Sequence, residues 1–310
     1  MSPKRVVLIA AVAAVVYIGV AVFVLKNFEL PEMSASAWGL VSLAAVAQIS
    51  AKWFFGLLFK ESVEEIGYSL RPFSAFKAAL VGAGVARLIP AGGAITPVAM
   101  SWTVRDEVEG TTGPAIRTVL LNYAGMLIMT GVGLLIARPQ EGAQIASVSL
   151  VVLAPIALVA GLLLMFGSGK LGSIAKYLPQ FLRKRIESSM VDHAPKLESQ
   201  LYIWARLIME AAALGFVLYA FGIEVDPFQI AAAFGVSSLA GGLPGTPGGM
   251  GVTEVGLVFI LSAYGFPASS TVAPVIIFRI VSYWLPAALS FLAGGMTFLR
   301  SDEAKTAAEA

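Results

Sequence analysis

Six charged side chains lie inside otherwise apolar sequence: Lys52, Arg87, Arg206, Glu210, Glu254 and Arg279. Placing Arg, Lys or Asp at the centre of a lipid-embedded helix costs about 2.5–3.5 kcal/mol, so such groups turn toward a partner or a cavity. Arg206 and Glu210 are four residues apart, the spacing at which helical neighbours pair. Arg279 and Tyr283 have the same spacing, which puts the phenol ring on the face of the cation. For Glu254 and Arg279 two readings stand. One is a structural salt bridge that locks two elements together; the other is a pair that opens onto a lipid headgroup or gates a path. Lys52 and Arg206 fall near the ends of their apolar runs, where a long basic side chain is expected to snorkel to the cytoplasmic interface. Arg87 stands three residues before Pro90, where a cation reaches water only if a cavity comes to it. It is expected to meet an anionic group such as a phosphate.

Two proline–glycine breaks interrupt the apolar sequence. The first runs from Leu88 to Pro97 and holds Pro90, Gly92 and Gly93. The second runs from Gly241 to Gly251, holds Pro244, Pro247, Gly248, Gly249 and Gly251, and leads at once into Val252-Thr253-Glu254. Lipid tolerates non-helical backbone only where it is buried in protein or lines a polar cavity. A matched pair of broken segments in the two halves of a chain points to a transport site. Gly241, Gly245 and Gly249 recur at four-residue spacing, as in small-residue helix packing. The intervening prolines instead favour an open turn whose amides, with the N-terminus of the next helix, attract an anion. Both uses of these glycines stand.

Other chemistries lack their residues. With no cysteine there is no thiolate, disulfide or thiolate metal site. The single histidine, His193, lies in a polar stretch, and the aspartates fall in predicted loops. Gly167-Ser-Gly-Lys170 lacks the frame of a nucleotide-phosphate loop and is followed by Leu171. Among carboxylates only Glu210 and Glu254 read as embedded. No catalytic residue, metal or cofactor is expected, and the chain reads as a non-enzyme. A net charge of +2 is too small to suggest a nucleic-acid partner.

Residues placed this way need a membrane bundle to hold them. Of 310 residues, 58% are hydrophobic and 13% charged, more apolar than a soluble core can hide. Six stretches read as spans: 6–25, 38–59, 116–137, 143–166, 200–222 and 271–298. The first follows Lys4 and Arg5 and is read as a retained signal anchor. The stretches 73–102 and 228–264 contain the breaks. If both re-enter on the side they left, 15 of the 21 Lys/Arg become cytoplasmic and only Lys26 and Arg138 lie outside. If the first stretch spans instead, the basic loop 167–199 moves outside, against the positive-inside bias. The expected fold is therefore all-α: a polytopic membrane helix bundle of about six spans plus two re-entrant helical hairpins in an inverted pseudo-repeat. Pro72-Phe73 opens one hairpin and Pro227-Phe228 the other, and a Gly-Gly pair follows each break. The chain is expected to form one membrane domain over 1–300, with halves 1–166 and 200–300. Loop 167–199 joins them, as an ordinary polar loop or as a basic amphipathic helix on the inner leaflet, and 301–310 reads as a disordered tail.

Pro247-Gly-Gly-Met-Gly-Val-Thr-Glu254, the apolar run to Leu261, and Arg279-Ile-Val-Ser-Tyr-Trp-Leu-Pro286 together resemble the lysylphosphatidylglycerol synthase/flippase transmembrane family. Pro247, Gly248, Gly249, Gly251, Glu254 and Arg279 match its motif, and Met250 stands where leucine is usual. The resemblance implies an integral plasma-membrane protein of a bacterium or archaeon, with a flippase-like domain and without the soluble synthase domain of larger members. Lysyl transfer is not carried over. The implied partners are membrane lipids, phospholipid or polyprenyl phosphate-linked, and a separate lipid-modifying enzyme.

Two functions compete at this level. A flippase-like transporter would pass a headgroup along Arg87, Glu254, Arg279 and Tyr283 while the tails stay in lipid. A non-transporting scaffold would use the same charges structurally. The topology is open to test in a chain with no native cysteine. Glu107→Cys should be labelled only from the cytoplasmic side and Gln140→Cys only from the outer side; Glu107→Cys labelled from outside would overturn the re-entrant arrangement.

Overall fold

The computed structural model describes residues 33–88, 92–137, 144–166, 194–242 and 247–295, with Gly19, Phe298 and Ser301. These residues form helices and turns, with no strand among them. Helix α1 spans Ala35–Glu64, α2 Pro72–Leu88, α3 Thr96–Val104, α4 Thr112–Ile136, α5 Gln144–Phe166 and α6 Leu197–Ala220. Then come α7 at Pro227–Gly241, α8 at Val252–Ala263, and α9 at Ala268–Leu292, which carries a π-helical turn at Ile280–Trp284. The expected spans 38–59, 116–137, 143–166, 200–222 and 271–298 fall on α1, α4, α5, α6 and α9. The expected first span, most of loop 167–199 and the tail lie outside the described residues.

Helices α1, α4, α6 and α9 are each long and apolar enough to cross a membrane. At 1.5 Å per residue the 30 residues of α1 reach about 45 Å, more than a hydrocarbon core of about 30 Å. The outward face of α5 exposes Val152, Leu153, Ile156, Val159 and Leu163. Such an apolar stripe suits lipid and would be costly in water. Helix α5 packs closely on α4 through glycines: a Cβ on Gly131 would lie 2.7 Å from the Leu158 backbone, and one on Gly161 2.8 Å from the Ala124 carbonyl. Close approach of this kind is the main source of helix–helix attraction in lipid. The chain is an all-helical polytopic membrane protein.

Both broken stretches fold as antiparallel hairpins. In the first, Gly82 of α2 faces Thr96 and Met100 of α3. In the second, Gly241 faces Thr253 while Ser237, four residues earlier, faces Gly256, three residues later. Proline opens α2 and α7, where a missing N–H costs nothing, and Asp226 adds a capping box by accepting from Phe228 N at 2.8 Å. The two hairpins come in from opposite ends of α4. The base of the first meets the start of α4, where Thr111 and Thr112 donate to Ser101 Oγ at 2.9 and 3.1 Å. The base of the second meets the other end of α4, where Gly133 lies against Phe228 and Ala232.

The tips meet in the interior. Gly92–Ala94 and Pro247–Gly249 each form one 3₁₀ turn. Pro90 and Pro244, expected at the breaks, lie outside the described residues. Gly248, Gly249 and Gly251 have φ of +54°, +70° and +82°, so this segment is a turn and not a helix packed through its small residues. A Cβ on Gly248 would stand 2.9 Å from Arg87 Cα, so the second tip rests on the last turn of α2.

Gly249→Ala should be among the most damaging single changes. Its Cβ would fall 2.5 Å from the Gly241 carbonyl oxygen, at a φ that L-residues avoid. Left-handed strain of about 1–2 kcal/mol adds to overpacking of about 1–3 kcal/mol. Thermal unfolding in detergent should show a marked loss for Gly249→Ala and none for Gly39→Ala, which meets nothing within 4 Å. Equal stability of the two variants would contradict the hairpin packing.

Candidate functional site

Arg87 sits in the last turn of α2, where helix carbonyls lose their intrahelical partners. Its own carbonyl accepts from Tyr283 Oη. Its guanidinium turns along the helix: Nη1 donates to Ala83 O at 2.5 Å and Nη2 to Ser282 O at 3.1 Å. The Ser282 carbonyl can take this bond because Pro286, four residues on, has no N–H to give it. Thus the end of α2 and the π turn of α9 are tied in both directions. No carboxylate among the described residues pairs with Arg87.

Arg279 and Glu254 brace the second tip. Arg279 Nε donates to Glu254 Oε1 at 2.8 Å, and Nη2 donates to Gly248 O at 3.2 Å. The other Glu254 oxygen accepts from Gly251 N at 2.8 Å, capping α8. The Arg279 guanidinium also lies 4.8 Å from the Tyr283 ring centroid. This geometry is that of a lock across the glycine turn. It also narrows one expectation: of the turn's amides, read together as open to an anion, that of Gly251 is taken by Glu254.

The third group corrects another. Lys52 and Arg206 do not snorkel to an interface. Lys52 is buried and donates to Glu210, and Arg206 Nη2 donates to the same oxygen at 3.2 Å. The reason lies in α1, which does not stop at the end of its apolar run. It continues through Lys60, Glu61, Ser62 and Glu64, leaving Lys52 about three turns from the helix end. Those added turns are held by buried polar contacts: Glu61 accepts from Ser199 Oγ at 2.5 Å, and Arg117 pairs with Glu65. Buried carboxylates are thus not limited to Glu210 and Glu254, and Arg117 is itself buried in α4.

These groups converge on one cavity of about 230 Å³ between the hairpin tips, α1, α4, α6 and α9. Lys52, Arg87, Arg206, Glu210, Arg279 and Gly248 line it, as does Gly93 of the first tip. Glu254, Tyr283, Gly249 and Gly251 stand behind this wall and hold it. Several polar lining residues were not singled out in the sequence, Gln48, Asn122 and Tyr123 the largest among them. Each is a polar residue in an apolar segment. Buried polar atoms of this wall lack hydrogen-bond partners: Gln48 Nε2, Asn122 Oδ1, Arg206 Nε and Arg206 Nη1. Buried polar groups are nearly always satisfied, so exceptions on residues that line one cavity are consistent with an added polar partner there.

A second cavity, of about 490 Å³, lies along α4, α6 and α7, and on α6 it reaches from Trp204 and Ile208, which flank Arg206, to Tyr219. Met126 lines the first cavity and Met129 the second; Glu210 lines the first, and Ala211, Gly215 and Tyr219 the second; Ser238 lines the first and Phe228 the second. Its wall is almost wholly apolar, with Trp204, Ile208 and Phe216. A charged cavity therefore adjoins an apolar one on α4, α6 and α7.

Comparison with known proteins agrees with a membrane assignment. A UPF0104 membrane protein of Methanothermobacter thermautotrophicus is 33% identical over 82 residues, which is 26% of this chain and 25% of that protein. The match thus spans about a quarter of that relative. Residues 5–290 match the family described as the lysylphosphatidylglycerol synthase TM region. The chain belongs to that family of integral membrane proteins.

Proposed function

We propose that this protein moves an anionic amphiphile, a phospholipid or a polyprenyl phosphate-linked lipid, between the two leaflets. One observation carries the reading: hairpins from opposite ends of α4 meet at a cationic cavity that adjoins an apolar one. A phosphate does not cross hydrocarbon unaided, because losing its water without replacement bonds costs far more than thermal energy supplies. Arg87, Arg206 and Lys52 offer replacement bonds at the level where both hairpins end. The apolar cavity offers the tail a path that stays out of water. Alternating access then needs only one hairpin to rock against the other around a fixed site. In this reading Arg87 contacts the headgroup, and Glu254, Arg279, Tyr283, Gly249 and Gly251 set the shape of the second tip. The partners are membrane lipids and an enzyme that makes or consumes the transported lipid; both termini face the cytoplasm.

The rival reading is a scaffold whose charges serve only stability, and the Glu254–Arg279 lock is the observation in its favour. Reconstitution in liposomes with fluorescent phospholipids and polyprenyl phosphates separates the two. The wild-type protein should accelerate leaflet exchange of at least one of these lipids. Arg87→Gln should lower that rate at least tenfold, because a hydrogen bond to a charged group contributes about 1.5–3 kcal/mol. Glu254→Gln should lower thermal stability, by a similar energy, along with exchange. Exchange no faster than in protein-free vesicles for every lipid would sink the transport reading. Intact exchange in Arg87→Gln would remove Arg87 from the path.

A further inference from the structure

The charges around the cavity do not balance. Lys52, Arg87, Arg206 and Arg279 line it, and the carboxylates paired with them are Glu210 and Glu254. Among the described residues this leaves the cluster with a net charge of +2. Glu210 is shared between Lys52 and Arg206, Glu254 is spent on Arg279, and Arg87 has carbonyl partners only. An uncompensated charge away from water is costly, and two in one small space more so. The Arg206 guanidinium lies 4.8 Å from the Phe55 ring centroid, and its Nε and Nη1 donors are buried without hydrogen-bond partners, so a residue that lines the cavity carries spare donors as well as charge.

We propose that this cavity binds a doubly negative phosphate group, a phosphate monoester carried on a lipid, in preference to phosphodiester, zwitterionic or cationic headgroups. This rests on the reading of the cavity as a headgroup site and fixes its charge class. A phosphate monoester carries about −1.5 to −2 at neutral pH and three acceptor oxygens. It neutralises the cluster and takes the guanidinium donors of Arg87 and Arg206 together, as planar forks suit phosphate. A phosphodiester carries one charge and leaves the cluster positive. A zwitterionic headgroup leaves the whole excess and adds a cation that must be placed among four others. An aminoacylated, net-cationic headgroup is repelled. A fold of the lysylphosphatidylglycerol synthase type therefore does not imply that lipid as the cargo of this chain.

The test measures binding to the full chain in detergent by thermal shift and by competition with labelled phosphatidic acid. The competing probes are phosphatidic acid, phosphatidylglycerol, phosphatidylcholine, lysylphosphatidylglycerol and inorganic phosphate. Phosphatidic acid should bind at least about tenfold tighter than phosphatidylglycerol, since one further charge near two guanidinium groups in a low-dielectric site is worth more than that factor. Phosphatidylcholine and lysylphosphatidylglycerol should compete weakly or not at all. Arg87→Gln and Arg206→Gln should flatten the preference, and Arg87→Lys, which keeps the charge, should retain most of it. The wild-type ranking needs no variant, so misfolding of a variant does not protect the claim. Phosphatidylglycerol or lysylphosphatidylglycerol binding as tightly as phosphatidic acid would overturn it. Binding of inorganic phosphate with none of phosphatidic acid would keep the dianion assignment and overturn the lipid transport reading. A monoester preference without leaflet exchange would likewise separate the two.

Discussion

The structure depends on one constraint: four cations and two carboxylates are held inside a bundle that lies in lipid. No apolar contact can satisfy them, and each is expensive to leave bare. Where Arg87 and Glu254 sit, the chain meets this by breaking its helices. A broken helix exposes backbone carbonyls, and those carbonyls solvate cations. Arg87 uses Ala83 O and Ser282 O, and Arg279 uses Gly248 O. The break that would be a defect in an ordinary span supplies the polar groups that the charges require.

The same bonds assemble the fold. Tyr283 Oη closes the end of α2, and the Arg87 guanidinium reaches back to the π turn that carries Tyr283. Glu254 closes the start of α8 and holds Arg279 on α9. The two tips are thereby fixed on one helix, α9, at neighbouring turns. A π-helical turn offsets the side-chain register of a helix, and such turns occur often at functional sites. Here it places Tyr283 between Arg87 and Arg279. On the opposite wall Glu210 joins Lys52 of α1 to Arg206 of α6. Glu210 and Glu254 thus position cations, and neither cancels the excess charge that faces the cavity.

Much of this was legible in the sequence, because apolar runs, charge bias and proline–glycine breaks are local patterns. The helices, both hairpins and the Glu254–Arg279 and Arg206–Glu210 pairs follow from such patterns. What was not legible depended on where a helix ends once polar contacts extend it. Lys52 looked terminal because α1 was cut at the last apolar residue, whereas Glu61 and Glu65 carry polar bonds that pull the next turns into the bundle. The use of the Gly251 amide by Glu254, a bond between residues three apart, is a capping pattern that the sequence contains and the anion reading overlooked. Gln48 and Asn122 were missed for a different reason: neutral amides do not stand out in a count of charges, yet buried amides face the same demand for partners.

An anion that completes the interior cluster can be observed directly. The most direct measurement is an electron cryomicroscopy map of the full chain in nanodiscs of native lipid, at a resolution that separates a phosphate from water. A compact, strong density is expected within hydrogen-bonding distance of Arg87 and Arg206, continuous with tail density along the apolar cavity beside Met129 and Phe216. Water-strength density throughout the cavity, or a carboxylate of the chain bound to Arg87, would contradict it.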